Sequence, residues 1–130
     1  MIATDTNVLV RIVTNDDSHQ TSLALNLLLR QDRVFIPKTV FLELEWVLRT
    51  AYRLRAAAIL RAMRGFMDIA TWDFEDDTAV RNALDWYEQG VDFADALHMA
   101  STGRECPLAT FDAALLRKAS QLGLRAVAVG

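Results

Sequence analysis

Two hydrophobic rhythms alternate along the chain. Short apolar runs rich in β-branched residues fall at 1–4, 33–36, 69–72, 108–110 and 126–129, and they read as strands. Longer segments with apolar positions at helical spacing lie between them, at 6–13, 18–30, 39–52, 55–66, 75–89, 92–102 and 113–122. On 18–30 the expected apolar side carries Leu23, Leu27 and Leu28. On 39–52 Val40, Leu44, Val47 and Ala51 make one stripe. Leu42 and Trp46 lie off that stripe, Glu43 lies at its edge, and Glu45 is expected to face solvent. The segments 39–52 and 55–66 read as an αα-hairpin. Gly90, Gly103 and Gly123 stand just past helical runs, where a left-handed turn suits glycine.

Strands alternating with helices predict an α/β domain whose parallel sheet is covered on both faces. No repeat, low-complexity stretch or Pro/Gly-rich linker interrupts the alternation, so a single domain over 1–130 is expected. Composition narrows the setting. At 52% hydrophobic, the chain can bury a core without covalent staples, and Cys106 is its only cysteine. An intramolecular disulfide and a cysteine-based zinc site are therefore excluded. No run approaches the roughly 18 uninterrupted apolar residues of a membrane span. The N-terminus lacks a basic region and reads as a strand, so a cytoplasmic location is expected. A net charge of −3 argues against a protein that coats nucleic acid. It leaves room for a nuclease, because acids at a metal site lower the total while Arg49, Arg53, Arg55, Arg61 and Arg64 cluster elsewhere. Those arginines also suit an ordinary solvated helix surface.

The candidate chemistry rests on four carboxylates placed where strands turn into helices or where helices open. Asp5 follows the first strand and precedes Thr6 and Asn7, three residues in a row able to accept bonds from helical amides. One acceptor suffices for a cap. Glu43 sits beside Val40 and Val47, where an unpaired charge is unfavourable. Asp92 and Asp95 share the first turn of a helix, where the dipole favours acids and the pair resembles a capping box. His98 lies one turn beyond Asp95, so the two could bind an ion together at i, i+3. Asp112 opens the next helix, with Thr110 able to back it by a hydroxyl. Each position alone is explained by capping or by a surface pair. Gathered in space, the four would repel one another and call for a hard divalent cation, Mg²⁺ or Mn²⁺ rather than zinc.

Read together, Thr-Asp-Thr-Asn at 4–7, the Glu43 helix, Ala-Asp-Ala-Leu-His at 94–98 and Thr-Phe-Asp at 110–112 resemble the PIN domain. More narrowly, they resemble the ribonuclease toxins of VapC-type toxin–antitoxin pairs. The resemblance runs over essentially the whole chain, and one departure is that Leu115 and Leu116 stand where an aromatic residue is frequent. It implies a three-layer α/β/α sandwich with a central parallel sheet. It implies Asp5, Glu43, Asp95 and Asp112 as the catalytic and metal-binding quartet, supported by Thr6, Asn7 and Thr110. Asp92 matches less consistently and reads as a cap or an outer group. Asp5 and Asp95 are the expected direct ligands of Mg²⁺ or Mn²⁺.

The expected activity is metal-dependent hydrolysis of phosphodiester bonds in RNA, with Arg11, Arg49 and Arg53 as candidate phosphate guides. A homodimer and a cognate VapB-type antitoxin are the implied partners, and Leu42 and Trp46 are the candidate interface. Two other readings stay open. One is a phosphatase or phosphotransferase on a similar sheet with Asp5 as nucleophile, although Asn7 stands where a second acid is usual. The other is a non-catalytic PIN-like binding module.

Overall fold

A computed structural model describes residues 1–103 and 105–130. The chain divides into two compact units, Met1–Asp77 and Thr78–Gly130.

In the first unit β1 (Ile2–Ala3), β2 (Val34–Ile36) and β3 (Trp72–Phe74) pair in parallel in the order β1-β2-β3. Ile2 stands opposite Val34, and Val34 opposite Trp72. Parallel neighbours need a crossover. Here α1 (Thr6–Thr14) and α2 (Ser18–Leu29) make the first, and α3 (Lys38–Thr50) and α4 (Ala56–Met67) the second. The αα-hairpin expected from the sequence is thus present, joined at Arg53, whose φ of 54° is left-handed.

The third strand starts later than the apolar run suggests. Ile69 N–H donates to the Phe66 carbonyl and Trp72 N–H to the Ile69 carbonyl, so the first half of that run closes the end of α4. Pairing begins at Trp72, where the ring stacks on Phe66 at 5.3 Å.

Two helical faces also depart from expectation. On α3 the buried positions are Phe41, Leu44, Glu45 and Leu48, a stripe rotated from Val40, Leu44, Val47 and Ala51. Both sets have helical spacing. Phe41 decides between them, because its ring, fully buried, lies 5.1 Å from that of Phe74. The rotation carries Glu45 inward to 2% exposure, where it accepts from Arg49 Nε at 2.9 Å one turn along the helix. On α2 only Thr21 and Leu28 are buried, whereas Leu23 and Leu27 are exposed, as are Leu25 and Leu29.

Side-chain ties set the remaining geometry. Arg33 grips Asp73 through Nε and Nη2, both at 2.7 Å, across β2 and β3, and this fork holds the Asp73 carboxyl below its usual range. Arg11 donates to Gln20, Asp16 and the Tyr52 hydroxyl, while Tyr52 donates to Asp16 at 2.6 Å. The turn between α1 and α2 is thereby fastened to the end of α3.

The second unit holds α5 (Asp77–Glu88, beginning at the last residue of the first unit), α6 (Phe93–Thr102), β4 (Leu108–Thr110), α7 (Ala113–Gln121) and β5 (Ala126–Ala128). Here β4 and β5 pair in parallel, with α7 as their crossover and Leu108 opposite Ala126. Gly90 turns the chain from α5 to α6 at φ 97°, a conformation that side chains strain to adopt. The turn lets Tyr87 meet Phe93 edge-on, ring centres 5.6 Å apart. Parallel strands joined by helical crossovers are what the alternating pattern predicts.

Candidate active site

In the first unit the chain leaves β1 extended, and Asp5 caps α1. Its Oδ1 accepts from the Val8 amide at 3.2 Å. Among the described residues no hydrogen bond reaches its Oδ2. Thr6, the next residue, is buried, and its hydroxyl donates to Glu43 Oε1 on α3, 37 positions away in sequence. That bond fastens the start of α1 to the middle of α3 and fixes where Glu43 points. Glu43 is itself exposed, and Asn7 stands exposed on the first turn of α1. Thr4, just before Asp5, is buried, and its hydroxyl is the one buried side-chain polar atom without a partner among the described residues.

The other candidate acids lie in the second unit. Asp92 caps α6, its Oδ2 accepting from the Asp95 amide at 3.2 Å. Asp112 caps α7, with Oδ1 accepting from the amides of Ala114 at 2.9 Å and Leu115 at 3.2 Å. Its own amide donates to the Thr110 hydroxyl at 3.0 Å, the backing expected of Thr110. Asp95 is half-buried, and its carboxyl is pushed above the ordinary range. Desolvation is the main cause, repulsion from Asp92 the next; His98 opposes the shift by its charge, and Asp112 adds further repulsion. Helix α6 and the start of α7 therefore bring the charges of Asp92 and Asp112 to bear on Asp95.

The capping reading and the ligand reading prove compatible. Asp5, Asp92 and Asp112 each bind helical amides through one oxygen, and among the described residues the other oxygen carries no hydrogen bond. A helix N-terminus fixes each carboxylate in direction while its second oxygen stays available.

The donors are all hard oxygens, which fits Mg²⁺ or Mn²⁺. Among the described residues no three His, Cys, Asp or Glu side chains are grouped as a ready-made metal cage. Magnesium is commonly held by one or two carboxylates with substrate oxygens completing its shell, so these residues suit it without a cage.

The candidate arginines differ in what they already hold. Arg11 is engaged with Gln20, Asp16 and Tyr52, and Arg49 with Glu45, whereas Arg53 is exposed in the hairpin turn. On the outer side of α3, Trp46 is 57% exposed, so it is not covered by α4, and Leu42 is half-buried. A cavity of about 520 Å³ in the second unit is lined in part by Asn82, Trp86, Met99 and Arg125, and none of the candidate acids lines it.

The sequence pattern marks Thr110 and Asp112 but passes over Phe111 between them. Its ring is 85% exposed. The signal was an aromatic residue in a strand-to-helix turn, where neither the strand's alternation nor the helix's core stripe calls for one.

A family model described as PIN domain matches residues 2–121. Comparison with curated proteins returns no match.

Proposed function

The chain belongs to the PIN-domain family, which is a nuclease fold, and from that premise we propose that it is a Mg²⁺- or Mn²⁺-dependent endoribonuclease. The toxin role in a VapC-type toxin–antitoxin pair is part of the same proposal, as are a VapB-type antitoxin, a homodimer and a cytoplasmic site of action. A single domain over 1–130 is part of the proposal, with Asp5, Glu43, Asp95 and Asp112 as its catalytic acids.

The observation that carries the reading is the state of Asp95. It is partly desolvated, and two further carboxylates repel it. A divalent cation bound there would offset both effects. Asp5 and Asp95 are the residues that would hold the ion. Thr6 aims Glu43 by its hydroxyl, and the α7 cap with Thr110 aims Asp112. Bound there, the ion would activate water and stabilise charge developing on the phosphate. Arg53 is the best placed of the three arginines to meet RNA phosphates, since its neighbours leave it exposed. The exposed Trp46 with Leu42 supports a protein-binding face on α3.

The test is cleavage of end-labelled structured RNAs by the purified chain with Mg²⁺, Mn²⁺ or EDTA, beside Asp95→Asn. Cutting that needs the metal and is lost in the variant is the expected result. Cutting that survives EDTA or Asp95→Asn refutes the mechanism. Release of phosphate from a phosphomonoester with no RNA cleavage would favour a phosphatase instead.

A further inference from the structure

We infer that Phe111 is a stacking platform for an RNA base next to the scissile phosphate, an inference that rests on the ribonuclease reading. Its ring is the most exposed large apolar side chain among the described residues, at 85%, and it takes part in no ring pair there. It is one residue from Asp112, whose charge is felt at Asp95. The backbone that carries it is held on both sides. The Asp112 amide is tied to the Thr110 hydroxyl, and the Asp112 carboxylate is tied to the first amides of α7. A ring presented on so constrained a turn loses little freedom when a base settles on it.

Electrostatics strengthens the case. The chain carries a net charge of −3, and two of the three charged groups that act on Asp95 are acids, Asp92 and Asp112. An uncharged contact would add affinity for a single strand without drawing on those charges. Base stacking on an aromatic face supplies one, and it tolerates any sequence because every base has a π-face. No buried partner depends on Phe111, so its removal should leave the fold intact.

The experiment uses the full chain carrying Asp95→Asn, to prevent cutting, with Mg²⁺ present. Binding of a fluorescein-labelled oligoadenylate 8-mer is compared with that of an abasic 8-mer, for Phe111, Phe111→Trp and Phe111→Ala. Phe111→Ala should weaken binding of the oligoadenylate about tenfold and leave the abasic strand unchanged. Phe111→Trp should retain or tighten the binding, and the Phe111-dependent part should vary little with salt.

Equal affinity of Phe111→Ala and its parent for oligoadenylate overturns the inference. So does a change in self-association by sedimentation without a change in oligonucleotide binding, which would assign the ring to a protein interface. Metal-dependent RNA cleavage by the parent chain is measured alongside. If the parent cuts RNA and Phe111→Ala cuts it with the same KM, only the stacking role fails. If the parent neither cuts nor binds RNA, the ribonuclease reading fails and takes this one with it.

Discussion

Replacing Asp112 in two ways separates its capping role from its proposed chemical role. One oxygen receives the amides of Ala114 and Leu115, and the other is available to a ligand. Asp112→Asn keeps a neutral acceptor for the cap, and Asn is as good an N-cap as Asp. It loses a favourable charge at the helix dipole, worth a few tenths of a kcal/mol, but it also removes repulsion at Asp95. Stability should therefore stay within about 0.5 kcal/mol of the parent. Asp112→Ala removes the acceptor altogether. Only Leu115 and Ala119 of α7 are buried, so little packing compensates for a frayed first turn. A loss of about 1 kcal/mol is expected, lowering Tm by roughly 4 °C at this chain length.

Activity should follow a different order. Both variants lose the charge, so both should cut RNA roughly 100-fold more slowly at a temperature well below either midpoint, a scale set by removal of one electrostatic partner of the transition state. Thermal unfolding by circular dichroism gives the first comparison, and initial cleavage rates with Mg²⁺ give the second. If Asp112→Asn retains full activity while Asp112→Ala loses it in step with its stability, Asp112 is a cap and nothing more.

Asp95→Asn should raise Tm of the metal-free protein at neutral pH, against the direction of its effect on activity. The folded-state carboxyl is pushed above the ordinary value, so its favourable contribution is complete below that value and is lost as pH rises through the raised one. The advantage of the variant should shrink as pH falls toward 3, and a parent more stable than the variant at pH 7 without metal would contradict the assignment. Thr4→Val replaces a buried hydroxyl that lacks a partner by a methyl group of similar size. It should stabilise the fold by about 1 kcal/mol in urea unfolding, and a loss of stability would mean that the hydroxyl does hold a partner.

The sequence by itself determined the order of strands and helices, the helix caps and the acids that stand at them. These depend on residues within one or two turns of each other: the spacing of apolar positions, an acceptor before a helix, a glycine after one. The Asp5, Asp92 and Asp112 caps are of this kind, as is the Thr110 contact with Asp112, and each is found where the pattern places it. Asp95 is legible as an acid in a first turn. Its desolvation is not, because burial is a property of the folded unit.

Tertiary structure decided the questions that turn on distant partners. Two stripes on α3 have the same period, and only the Phe41 contact with Phe74 selects between them, carrying Glu45 inward with Arg49 as its partner. Helix α2 is rich in leucine nearly all round, so its pattern cannot say that Leu28 is buried while Leu23 and Leu27 are left outside. The start of β3 waits on pairing with β2, which begins only after α4 has closed at Ile69. The hydroxyl of Thr6 finds Glu43 across 37 residues. Periodicity reports which residues of one element share a face; which face meets the core, and which acids meet each other, is settled by contacts between elements.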